Sequence, residues 1–153
     1  MIDNLCFPII IYRFPYNQSQ KIAVNFNITD FRKFIFDEND NQQELPDTVL
    51  AKCIVIVCDA NDFIIHQDSW LDWLRGATTV NTIALNNLKQ LWRHQPQSTL
   101  ILVTNAEKHS TIMQELSECR AITVDRDTND DKMETIMGWC FSYASAFRGT
   151  ILK

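Results

Sequence analysis

The chain has 153 residues, of which 46% are hydrophobic and 22% are charged, and its formal net charge is −5. This length predicts one domain rather than two, and the composition excludes a chain that is disordered throughout. The acidic balance, with no Lys or Arg run longer than two, disfavours binding to nucleic acid or to an anionic membrane, since both attract clustered positive charge.

Cysteine usage and the start of the chain predict a cytoplasmic location. The five cysteines are odd in number and form no C-x-x-C pair, which argues against a disulfide framework. Free cysteines inside apolar runs suit a reducing compartment. Asp3 stands where an export signal carries positive charge, so the start predicts a first strand. No apolar stretch approaches the ~18 residues of a membrane span, and no membrane insertion is expected.

The predicted elements begin with two short strands, residues 7–12 and 21–26, joined by a polar turn. Their closeness in sequence predicts an antiparallel hairpin. A short helix follows, capped by Thr29 or Asp30, with its apolar residues on one face.

Three further apolar runs lack the alternation of a half-exposed strand, which predicts strands buried on both faces. They are residues 53–58, 99–103 and 121–124. Four further helices are predicted, the first two at 69–75 and at about 80–92. The third follows a T-x-x-Q capping box formed by Thr111 and Gln114. The fourth begins at a cap on Thr128 or Asn129 and ends before Gly149.

Two of these helices carry a predicted core face at helical spacing. In the first, at about 80–92, the face consists of Val80, Ile83, Ala84, Asn87, Leu88, Leu91 and Trp92. In the last helix, seven residues fall within an arc of about 140°, namely Met133, Ile136, Met137, Cys140, Phe141, Ala144 and Phe147.

Buried apolar strands that alternate with helices predict an α/β fold. We therefore expect a single α/β domain over residues 1–153. Its core would be a three-layer, mostly parallel sheet with helices on both faces and an N-terminal antiparallel hairpin.

Polar residues follow the buried strands, at the edge where open parallel sheets bind their ligands. A cation or a phosphate is the expected ligand there. The same residue types also suit strand ends and helix caps, so a purely structural role stays open. No cofactor and no resident metal is predicted, because a glycine-rich phosphate loop and His/Cys metal spacing are absent. The candidate ligand-binding residues are Asp59, Asp62, Thr104, Asn105, Asp125 and Arg126.

Aromatic and apolar residues give a second candidate surface, for a partner protein. They form either a wide core face or an interaction surface, since Trp and Tyr anchor many interfaces. The apolar tail would also allow a homodimer. The candidate partner-surface residues are Trp70, Trp73, Trp139, Tyr143, Ile151 and Leu152.

The stretch from residue 53 to about residue 147 resembles the back half of a RecA-like module. The matching parts are the Walker B-like IVIVCD at 54–59, the helix ending LKQLWRHQPQ, STLILVTN at 98–105, and AITVDRD. With VCDAND, SWLDWL and MGWCF, the chain is similar to bacterial cellulose-secretion regulators, which carry such a module in degenerate form. The resemblance implies a bacterial, protein-binding regulator without a P-loop, not an ATPase.

The chain also resembles response-regulator receivers. Asp59 would occupy the phosphoacceptor position and Thr104 that of the switch hydroxyl. Asp125 and Arg126 stand after the fifth strand, where that family has lysine, and Tyr12-Arg13 replaces its acidic pair. Without that pair Mg²⁺ would be poorly held, so the resemblance implies a pseudo-receiver.

These observations predict a protein that is not an enzyme. We expect a regulatory or adaptor protein that binds another protein. The alternative is a pseudo-receiver signalling domain, or a small-ligand or metal-binding module that uses the rim around Asp59.

Overall fold

The computed structural model describes residues 9–15, 21–23, 27–36, 53–65 and 79–151. Side chains are described in these ranges except at 21–23 and 143–151. The predicted helix at 69–75 and the turn at 16–20 lie outside the described residues.

The helices and strands follow one another in an α/β order along the described ranges. The strands are β1 (Ile9–Arg13), β2 (Lys21–Ala23), β3 (Cys53–Asp59), β4 (Ile64–Ile65), β5 (Thr79–Val80), β6 (Thr99–Thr104) and β7 (Ala121–Thr123). The α-helices are α1 (Ile28–Phe36), α2 (Thr82–His94), α3 (Ser110–Glu115) and α4 (Asp130–Ile151), with 3-10 turns at Ala60–Phe63 and Ala106–Lys108.

Five strands form the main sheet in the order β2-β1-β3-β6-β7. β1, β3, β6 and β7 are parallel, which confirms the predicted parallel α/β sheet. At the edge, β2 pairs antiparallel with β1, where Ile10 lies opposite Ile22. A separate antiparallel pair, β4 with β5, does not belong to the N-terminal region and was not predicted.

Side-chain alternation along the parallel strands divides the core between the two faces of the sheet. On one face, strand residues such as Val55 and Leu102 pack with α1 and α4 through Phe31 and Ile136. On the other face, a second cluster packs against α2 and α3, and its members include Ile56, Cys58, Ile101, Val103, Leu85, Leu88, Ile112 and Leu116. Helices therefore cover both faces, and Cys53 and Cys58 lie on opposite sides as their odd spacing requires.

The predicted core face of α2 is correct only in part: Leu88 is fully buried and Val80, Ala84 and Trp92 pack against the same core cluster, but Leu85 was missed and Ile83 and Leu91 were placed wrongly. Leu85 and Leu88 are the buried residues of this helix, whereas Ile83 is 73% exposed and Leu91 is 43% exposed. Residues two apart on a helix are separated by about 200°, so burying Leu85 turns Ile83 towards solvent. The Asn81 side chain caps the helix by accepting the Ala84 N–H at 3.1 Å.

The predicted capping box of α3 is also wrong. The helix begins at Ser110 after His109, and no side chain caps it. The chain enters α3 directly from the preceding 3-10 turn, because the His109 N–H donates to Ala106 O and the Ile112 N–H donates to His109 O. Backbone hydrogen bonds thus take the place of the side-chain capping bonds expected from Thr111 and Gln114.

The last helix starts as predicted and ends later. Asn129 Oδ1 accepts the Lys132 N–H at 2.8 Å, which is the expected cap. Met133, Ile136 and Cys140 are fully buried on the predicted face. The helix continues past Gly149 to Ile151, because a single glycine costs only about 1 kcal/mol relative to alanine in a helix. Among the described residues, no helix combines the length and apolar composition that crossing a membrane requires.

Candidate functional site

Polar segments meet at one edge of the sheet because the strands that precede them are parallel. Asp59, the last residue of β3, lies opposite Thr104, the last residue of β6. The Val124 N–H, directly after β7, donates to the Val103 carbonyl at 3.0 Å. This bond carries Asp125 to the same edge, which we call the strand-end rim.

A cleft of about 530 Å³ opens along the strand-end rim. Sequence reasoning missed Phe14, at the end of β1, and the C-terminal end of α1 as part of this lining. It named Arg13 only through the receiver resemblance, as part of the pair that replaces the family's acidic residues, and not as a candidate ligand-binding residue. The structure brings all six candidate ligand-binding residues into the lining of this cleft: Asp59, Asp62, Thr104, Asn105, Asp125 and Arg126.

The Asp59 carboxylate bridges two loops of the rim. Its Oδ1 accepts the Asn61 N–H at 2.8 Å and so caps the 3-10 turn that follows β3. Its Oδ2 accepts a hydrogen bond from Asn105 Nδ2 at 2.9 Å. These are the bonds expected of a strand-end aspartate in a structural role. Each carboxylate oxygen also has a second lone pair for a ligand donor.

Asn105 links the Asp59 loop to the loop after β7. It adopts the left-handed conformation, with φ 57° and ψ 26°, which Asn tolerates better than most residues. Its backbone N–H donates to Asp125 Oδ1 at 3.3 Å. On the other side, His109 Nε2 lies 2.7 Å from Asn61 Oδ1. The rim is therefore a continuous series of polar contacts from His109 to Asp125.

Two arginines of the cleft lining lie at the C-terminal end of α1. Arg126 Nη2 donates to the Phe36 carbonyl at 3.0 Å, and its guanidinium lies over the Phe36 ring, 5.7 Å from the centroid. Arg13 Nη2 is 3.5 Å from the Phe34 carbonyl. Positive charge is favourable at a helix C-terminus, where carbonyl groups lack helical partners.

The carboxylate side of the cleft alters the pKa of two neighbouring groups. Partial burial raises the pKa of the Asp62 carboxyl, and the Asp59 charge raises it further. Burial raises the pKa of the Cys58 thiol far above its ordinary value, with smaller contributions from Asp62 and Asp59. Cys58 therefore stays protonated at neutral pH, where a thiol is a poor nucleophile.

Within the ranges that the structure describes, no three His, Cys, Asp or Glu side chains lie close enough together to hold a metal ion.

The candidate partner-surface residues fall mostly outside the description. Trp139, on α4, is 41% exposed. The side chains of Tyr143 and Ile151 and the whole of Trp70, Trp73 and Leu152 lie outside the described residues. Trp139 is thus the one candidate of this set whose exposure the structure describes.

No protein-family model matches the chain, and searches of curated proteins and of solved structures found no significant match. The fold and the site thus define it by themselves, as an α/β protein with a polar cleft at the ends of its parallel strands.

Proposed function

We propose that this protein is a non-catalytic binding module whose ligand occupies the cleft at the strand-end rim. The observation that carries the proposal is the convergence of seven charged or polar side chains, from segments far apart in sequence, on one cleft of about 530 Å³. Cavities of this size and mixed lining are typical of small-molecule sites.

The hydrogen bonds of the rim support binding in preference to phosphotransfer. Both Asp59 oxygens accept donors from the protein itself, which lowers the reactivity of the carboxylate as a phosphoacceptor. Arg13 lines the cleft at the end of β1, where receivers place the acidic pair that holds Mg²⁺. A positive charge there opposes cation binding.

The site is testable by two-dimensional ¹H–¹⁵N NMR on the full chain. The probes are L-lysine, ADP, inorganic phosphate and Mg²⁺, each at 10 mM. We expect at least one probe to shift the amide signals of Asn61, Asn105 and Asp125, and to leave those of α2 unchanged. If every probe leaves the rim amides unmoved, the proposed ligand site is wrong.

Exposure of Trp139 favours a second candidate function, in which the protein is a regulatory or adaptor protein that binds another protein. Trp139 is a large apolar side chain that is 41% exposed on a helix, and Trp is enriched in interface anchors.

Substitution of Trp139 tests this second function. Cross-linking in the native host followed by pull-down should recover a partner with the wild type and lose it with Trp139→Ala. Leu91→Ala is the matched control, because Leu91 is exposed to a similar extent on α2. A partner set identical in all three proteins rules out the Trp139 surface. Light scattering at high concentration separates a second copy of the chain from a different partner.

A further inference from the structure

Two cysteine side chains from different elements meet in the core, away from the cleft. Cys53 is the first residue of β3, and Cys140 lies on α4. Both thiols are free, and both residues are fully buried in the same core cluster. Neither residue is part of the described lining of the cleft, so the role of this pair is independent of the binding function proposed above.

The local structure of each element directs its cysteine to the same layer. Alternate residues of a strand share a face, and Cys53 lies with Val55 and Val57 on the face of β3 that belongs to this cluster. Cys140 follows Ile136 by about one helical turn and continues the buried stripe of α4. Since α4 and β3 are in direct contact, both thiols lie between the helix and the sheet.

The two thiols are close enough to act on each other. A hydrogen bond with Cys53 raises the pKa of the Cys140 thiol, and burial raises it further. A hydrogen bond acts only over contact distance, so the sulfur atoms are neighbours. Cys58 and Cys119 also share a core cluster, but the pKa of neither is affected by another described cysteine. Contact between thiols is therefore a property of the first pair and not of cluster membership.

We propose that Cys53 and Cys140 form a redox-sensitive pair, which a peroxide converts into a disulfide bond between β3 and α4. Hydrogen peroxide oxidises one thiol to a sulfenic acid and is itself reduced to water. The second thiol then attacks the sulfenic sulfur, so that the S–S bond forms, the S–O bond breaks and a second water leaves. Two thiols and one peroxide thus give one disulfide and two waters.

Burial sets the order and the pace of these two steps. The thiolate is the reactive form and is disfavoured in an apolar core, so the first oxidation is slow. The second step is intramolecular, because the partner thiol already lies in contact with the oxidised sulfur. The dithiol is therefore the resting form in a reducing compartment, and the disulfide records prolonged oxidation.

Peptide mapping of the full chain tests the pairing. The protein is incubated with excess hydrogen peroxide, the remaining thiols are alkylated in urea, and the digest is analysed by mass spectrometry without reduction. We expect a linked species that contains Cys53 and Cys140 and is lighter than the two separate peptides by two hydrogens. Cys58 and Cys119 should be recovered without a link to each other. Unchanged thiols at both positions, or a link from either one to Cys6, would overturn the proposal.

Thermal unfolding with matched variants gives a second measurement. A disulfide that closes a long loop restricts the unfolded chain, so oxidation should raise the Tm of the wild type by roughly 5–15 °C, reversibly with dithiothreitol. Cys140→Ala should lose this rise, and Cys119→Ala, which removes a buried cysteine of the other cluster, should keep it. Cys140→Val replaces Cys140→Ala if circular dichroism shows that the alanine variant is unfolded. An equal rise without Cys140 would overturn the pairing.

Discussion

Asn105 offers the sharpest test of the rim, because its backbone and its side chain make separate contributions. The backbone is left-handed, with φ 57°, and the side chain donates to Asp59 Oδ2 at 2.9 Å. Asn105→Gly keeps the backbone conformation accessible and removes only the side-chain bond. Asn105→Ala removes the same bond and places a Cβ in a conformation that disfavours it.

The expected losses of unfolding free energy follow from these differences. A hydrogen bond at an exposed site contributes about 1 kcal/mol. Glycine adds about 0.5 kcal/mol through the greater freedom of the unfolded chain, giving about 1.5 kcal/mol for Asn105→Gly. Alanine adds about 1.5 kcal/mol of left-handed strain, giving about 2.5 kcal/mol for Asn105→Ala. The gap of about 1 kcal/mol between the two variants is the quantity of interest.

A third variant, Asn105→Asp, probes the contact with Asp59 by charge. Aspartate tolerates the left-handed backbone but would bring a second carboxylate to the place where Asn105 donates, so repulsion raises the pKa of the pair in the folded state. The penalty is therefore present at neutral pH and disappears as pH falls through the raised pKa.

Equilibrium urea unfolding at pH 7 and at pH 4 measures all three Asn105 variants. Alanine and glycine variants of equal stability would show that residue 105 is not held left-handed. An aspartate variant as stable as the wild type at pH 7 would show that residues 59 and 105 do not meet.

Three further predictions concern the core, the cleft and the cysteines. Leu88→Ala should lower the unfolding free energy by about 2–5 kcal/mol because Leu88 is fully buried. Ile83→Ala should change the unfolding free energy by less than about 0.5 kcal/mol because Ile83 is exposed. Similar losses for both variants in urea unfolding would contradict the orientation of α2. Folding raises the pKa of Asp62, so the ionised carboxylate opposes folding at pH values above that pKa. Asp62→Asn should therefore stabilise the protein slightly at pH 7 and have no such effect near pH 4. Thermal unfolding at the two pH values measures the difference. Iodoacetamide at pH 8 should label Cys53 and Cys140 only when urea is added, because both residues are fully buried. A hydrogen bond with Cys53, together with burial, also raises the pKa of the Cys140 thiol. Mass spectrometry that finds either cysteine alkylated within minutes in native protein would refute this packing.

The parallel sheet was predictable because its signal is local. Continuous apolar runs such as residues 53–58 occur where a strand is buried on both faces, and the structure places β3 between two other strands in such an environment. The meeting of Asp59 and Asp125 at one edge also follows from local information, since each ends or follows a strand of the same direction.

The part of the cleft lining that comes from β1 and α1 was not predictable from local patterns. Arg13 and Phe36 reach the cleft only because β1 lies beside β3 and because α1 ends above that edge, and neither fact is encoded in the residues near them. The core face of α2 was predicted only in part for a related reason. Ile83 and Leu91 satisfy helical spacing as well as Leu85 does, and only contact with the sheet decides which stripe is buried.

The segment after β7 is fastened to α1 by reciprocal hydrogen bonds. Arg32, on α1, donates to the carbonyls of Arg126 and Thr128 at 3.1 and 2.5 Å and pairs with Asp130 at 2.7 Å. Arg126 donates in return to the carbonyl of Phe36 at the end of α1. Under the binding function proposed above, a ligand in the cleft would meet an Arg126 that is already held in place, which lowers the entropic cost of binding. A structural role of Arg126 at the end of α1 is therefore compatible with the proposed binding role of the cleft.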